Sequence, residues 1–117
     1  MTRPGTLLAT AALLALSIVY CLPHHPSAGR HVVLDGVLHV ATFAVVGLWF
    51  GRTARRRTRT FVALAILAAL LEVAQWRLGG YAHVEWADIV TNEMGAAIAW
   101  LAMRAAADRS GATKGWR

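Results

Sequence analysis

Three short polar groups interrupt stretches of this chain that are otherwise apolar, and their types suit proton transfer or ligand binding. Asp35 and His39 stand four apart in VVLDGVLHVATFAVVGLWF, and Phe43 follows four further on. Glu72 and Gln75 stand three apart in LLEVAQ. Asp88 and Asn92 stand four apart in DIVTNEMG, with Gly95 three beyond. Spacings of three and four put each group on a single helical face. Imidazole titrates near neutrality, so His39 suits a proton carrier. Asp35, Glu72 and Asp88 are then acid–base or cation-holding partners, with His39 in a four-residue catalytic cluster. Gln75 and Asn92 are positioned to orient a ligand, and Arg77 and His83 lie near enough in sequence to contribute to binding it.

Charge sharpens this reading. Three carboxylates face one histidine, and unpaired carboxylates do not share a low-dielectric site in ionised form. A proton, an inward turn of Arg30 or Arg77, or a bound cation must balance them. A divalent metal on His39 and the carboxylates is chemically open, although no compact metal-binding motif marks it. His24, His25 and His31 read as a solvated loop beside two prolines, and Cys21 as a small apolar residue near a helix end. There is no phosphate loop and no nucleophile signature, so no cofactor is expected and catalysis is left undecided.

The elements that hold these groups follow from hydropathy. The chain has 117 residues, 57% hydrophobic and only 15% charged, against about 25% charged in soluble domains. Four apolar runs, 6–22, 32–50, 60–78 and 86–107, approach or reach the length of a membrane span. The expected architecture is all-α: one integral membrane four-helix bundle over residues 1–107. A polar tail, expected to be disordered and cytoplasmic, follows over 108–117. An uncleaved first helix fits better than a signal peptide, because no A-x-A-like site precedes Arg30. Small residues Ala65 and Ala68 share a face with Glu72 and Gln75, and Gly95 and Ala99 share one with Asn92, which allows close helix approach.

Orientation comes from the basic residues. The segment GRTARRRTR over 51–59 carries five arginines. With it inside, ten basic residues are cytoplasmic and two, Arg30 and Arg77, are outside. Both termini are therefore expected in the cytoplasm, in a multi-pass protein of the cell membrane. The net charge of +6 belongs to this asymmetry, and nucleic acid is not expected as a partner. At 1.5 Å per residue, His39, Glu72 and Asn92 each lie about 9–10 Å below the outer face. Three helices thus bring polar groups to one depth. Interhelical hydrogen bonds in membranes average only about 0.6 kcal/mol. Inserting one acid centrally costs about 2.5–3.5 kcal/mol. That imbalance favours a site over a structural lock.

The residues resemble the VanZ-like family, small bacterial membrane proteins named for a teicoplanin-resistance factor. The resemblance rests on Asp35, His39 and Phe43, on Glu72 and Gln75, and on Asp88, Asn92 and Gly95, in that order over roughly residues 32–104. It departs at Gly36, where the family usually has Lys, and at Ala82 beside His83, where it usually has Arg. The resemblance implies cell-envelope biology linked to glycopeptide antibiotic response. The expected function is an outward-facing pocket that binds or modifies a lipid or a lipid-linked envelope precursor. The alternatives are a non-catalytic interaction protein, whose cluster locks the bundle or docks a membrane protein partner, and a proton-coupled carrier.

Overall fold

The structure, a computed structural model, describes residues 7, 8, 10–15, 32–54 and 57–111. Every regular element among them is helical. A first helix, α1, is described over residues 10–15, with 7 and 8 also helical. Three long helices follow: α2 (Val32–Thr53), α3 (Arg57–Leu78) and α4 (Trp86–Ser110). Residues 16–22 of the first apolar run lie outside the described residues. So do the 23–31 loop with its histidines and Arg30, Arg3, Cys21, Arg55, Arg56 and the segment 112–117.

The three long helices each run three residues past the expected apolar run. α2 continues to Thr53, α3 begins at Arg57 inside the arginine-rich segment, and α4 continues to Ser110. The expected tail therefore starts too early, since Asp108, Arg109 and Ser110 are helical. Hydropathy locates the greasy part of a helix, whereas Arg and Ala are good helix formers with or without lipid. α4 ends at Gly111, whose φ of 67° lets its N–H reach the carbonyls of Ala107 and Asp108.

The long helices run up, down, up. On α2 and α4, Gly36 faces Thr91, Gly47 faces Ala99 and Gly51 faces Met103, so these two helices are parallel. α3 is antiparallel to both, with Phe61 reaching Gly47 and Gly51 and Glu72 reaching Asn92. α4 packs most extensively on α2 and less on α3. Glycine explains the close α2–α4 crossing. A Cβ on Gly95 would run into the carbonyl oxygen of Val40 and lie 3.0 Å from the Ala44 nitrogen. One on Gly47 would sit 2.8 Å from the Ala99 Cβ. The pairs Gly47–Gly51 and Gly95–Ala99 are small-xxx-small motifs on facing helices.

The core is a thin seam of Phe43, Leu64, Ala68, Leu71 and Ala96, joined by Val46 and Leu67. Large apolar side chains point outward instead: Val37, Val45, Ile66, Leu70, Ile98 and Leu101 are each at least half exposed. Among the described residues, two helices are long and apolar enough to cross a membrane: Val33–Thr53, mean hydropathy 1.8, and Arg57–Leu78, mean hydropathy 1.7. Little of either is buried, 11% and 28%, unlike the core helix of a soluble protein. α4 falls outside that class, since Asp88, Asn92 and Glu93 occupy its first two turns.

Candidate functional site

The polar residues of α2, α3 and α4 form one connected network. His39 Nδ1 is 2.9 Å from Asn92 Oδ1. An amide oxygen only accepts, so Nδ1 carries the hydrogen and donates it. Asn92 Nδ2 in turn donates to Glu72 Oε1 at 2.9 Å. With Nδ1 committed, the other ring nitrogen faces the acids: His39 Nε2 is 3.7 Å from Asp88 Oδ2. Asp35, one turn before His39, completes the group, and one donor atom each from Asp35, His39 and Asp88 lie within 4.8 Å of one another. Glu72 is 2% exposed, Asn92 0% and Asp88 8%, so these are interior groups and not a solvated face.

Each helix supplies its residues for a local reason. On α3, Leu64, Ala68, Leu71 and Glu72 form the buried face, so Glu72 extends an apolar seam toward the loop. On α4, Asp88, Asn92, Gly95, Ala96 and Ala99 are buried, and Gly95 brings the helix close enough for Asn92 to span from α2 to α3. Asp88 lies in the first turn of α4, where free N–H groups favour a carboxylate. Phe43, fully buried one turn below His39, closes the inner side of the network. On the loop side lies a cavity of about 580 Å³ lined by Asp35, Gly36, His83, Glu85, Asp88 and Thr91, among others. The arrangement has a buried proton-sharing chain on one side of His39 and two carboxylates beside an accessible cavity on the other.

Two residues expected at the ligand do not join the network. Gln75 donates to Tyr81 Oη at 3.3 Å, because it sits a turn beyond Glu72 and reaches the 79–85 loop instead of Asn92. Arg77 is exposed and stacks over the Trp76 ring at 4.3 Å. It is five residues from Glu72, about 140° around the helix, so it does not bend in toward the acids. His83 is exposed but lines the cavity. Compared with known protein families, curated proteins and solved structures, the chain matches none.

The sequence reading missed several residues. Tyr81 engages Gln75. Thr91 lines the cavity while its hydroxyl donates to Ala87 O and Asp88 O, both at 3.1 Å. Glu85 and Trp86 form part of the cavity wall. Glu93, a further acid of the fourth run, lines a separate groove of about 320 Å³ with Phe61, Ala65 and Trp100. Its signal was available: five residues after Asp88, it cannot share the face of Asp88 and Asn92. The GLWFG run that contains Gly47 and Gly51 was a legible close-packing motif as well.

Proposed function

We propose that the chain is a four-span membrane protein of VanZ-like type, with both termini in the cytoplasm and a polar pocket that opens outward. In this reading the pocket binds or modifies a lipid or lipid-linked component of the cell envelope. One observation carries it: the Asp35–His39–Asp88 group borders the 580 Å³ cavity at the end of the helices opposite the arginine-rich α2–α3 connection. A structural lock has no use for such an opening. The outward apolar side chains support the setting, since so many exposed in water would be an aggregation hazard. His39 is the proton carrier, Asp35 and Asp88 meet the ligand, and Asn92 and Glu72 hold His39 in register.

The lock has its own support, because His39, Asn92 and Glu72 satisfy one another inside the bundle. Two experiments separate the readings. In a Cys21→Ser background, an impermeant thiol reagent applied outside should label Gly80→Cys and Ala28→Cys and spare Arg55→Cys; the reverse pattern ends the topology. Wild-type protein and Asp88→Asn are then purified alike and their bound lipids compared by mass spectrometry. A lipid class held by wild type and lost from a folded Asp88→Asn supports the pocket. Equal lipid content, with lower thermal stability, supports the lock.

A further inference from the structure

We propose that Asp35, His39 and Asp88 together bind one divalent transition-metal ion, zinc or manganese, at the inner end of the loop-side cavity. This deepens the pocket reading, with His39 holding the ion in place of carrying a proton, and relies on that reading only for the side from which the ion arrives.

Geometry comes first. Three donor atoms within 4.8 Å of one another have a common centre within about 2.8 Å of each, against about 2.0–2.2 Å in a zinc site. Closing that gap takes a contraction of less than about 1 Å per ligand, within the reach of side-chain torsions. The donors are of the right kind: one imidazole nitrogen with two carboxylates suits zinc or manganese better than calcium or magnesium, which prefer all-oxygen sets.

The surroundings of His39 provide the second argument. A metal-ligating histidine almost always donates its other ring N–H to a fixed acceptor, which sets the tautomer and aims the lone pair. His39 does this toward Asn92 Oδ1 at 2.9 Å, and Asn92 is itself anchored on Glu72 at 2.9 Å. The ring is thereby fixed with Nε2 directed at the Asp88 side, 3.7 Å from Oδ2.

Charge and access complete the case. Among the described residues that line the cavity none is Lys or Arg, and Arg77, the basic residue nearest Glu72 in sequence, lies on Trp76. Three protein ligands leave coordination positions open, as catalytic and ligand-exchanging sites do. Those positions face the cavity beside Gly36, which has no side chain to obstruct them. An ion here offsets the charge of the two ligating carboxylates, so that its open positions can take an anionic oxygen of a headgroup.

The test uses the full chain in detergent, stripped with chelator and titrated with zinc by calorimetry and with cobalt by visible absorption. Wild type should take up one ion per chain. Asn92→Ala should weaken binding by about 10–100-fold, the usual loss for an outer partner of a metal-bound histidine. His39→Gln and Asp88→Asn should weaken it further. Asp35→Asn lies outside the Asn92 hydrogen bonds, so it should retain native helix content while losing affinity, which separates lost ligation from lost folding. A His24→Ala/His25→Ala/His31→Ala variant should bind as wild type does. Absence of zinc heat and of a cobalt band in wild type overturns the proposal, and so does equal affinity in wild type and a folded Asp35→Asn. The measurement is made in detergent, so it stands or fails independently of the labelling pattern that tests topology.

Discussion

Asn92 has both ends of its amide committed, one to His39 and one to Glu72, and it is fully buried. Substitution there should be costlier than at the acid it serves. Asn92→Ala strands a part-buried imidazole N–H and a buried carboxylate, at about 1–3 kcal/mol for each unsatisfied buried group. Glu72→Gln keeps an acceptor oxygen for the Asn92 amide at nearly the same volume, so the fold should persist with a loss of under about 1 kcal/mol. Thermal unfolding in detergent checks the order; a Glu72→Gln protein less stable than Asn92→Ala would mean that the bond directions are wrong. The placement of Asp35, His39, Glu72, Asp88 and Asn92 was readable from residue type and spacing, because polar residues inside apolar runs must face one another. The paths of Gln75 and Arg77 were not, because each depends on a loop or aromatic partner, Tyr81 or Trp76, that helical periodicity does not place.

At the scale of the helices, the site depends on how closely α2 and α4 approach. Gly95→Ala puts a methyl group against the Val40 carbonyl and the Ala44 backbone, which cannot swing aside as a side chain can. Overpacking of this kind costs about 1–3 kcal/mol, and separating the helices should also lengthen the His39–Asn92 bond. Gly36→Ala is the matched control. Its Cβ meets only the Thr91 methyl at 3.5 Å, an ordinary contact, and alanine is about 1 kcal/mol better than glycine within a helix. Gly36→Ala should therefore match or exceed wild-type stability, and Gly95→Ala should fall below it, by unfolding midpoint. If Gly95→Ala is neutral, the helices are farther apart than described. Gly36→Lys carries the same comparison to the pocket: an ammonium beside Asp35 should compete with zinc and weaken its binding, with the helices intact by circular dichroism. Helix positions and the loop-side ends at Val32, Leu78 and Trp86 were legible from hydropathy, but the ends on the arginine-rich side were not. Arg52, Arg57, Arg59 and Arg109 are too charged for a greasy run yet propagate a helix well, so those three boundaries moved outward by a turn.

For the molecule as a whole, the question is which solvent its outer surface meets, and depth dependence distinguishes the two solvents. Ile66, near the middle of α3, is 58% exposed, and Leu78, at the end of the same helix, is 69% exposed. Neither lines the groove that α3 shares with α1, which is formed by Leu13, Phe50, Arg59, Thr60, Ala63, Leu64 and Leu67, nor the one beside Glu93. In water these two positions are equivalent: arginine at either should change stability by no more than about 0.5 kcal/mol and should improve solubility. In a bilayer they differ sharply. Arginine at a helix centre costs about 2.5–3.5 kcal/mol on insertion, whereas at the end its guanidinium snorkels to the interface, where Arg77 already lies. Ile66→Arg should therefore reduce the membrane-inserted, protease-protected fraction severalfold, and Leu78→Arg should leave it nearly unchanged. Two soluble and equally stable variants would remove the membrane from the account of this fold. They would also require another cover for the exposed faces of α2 and α3.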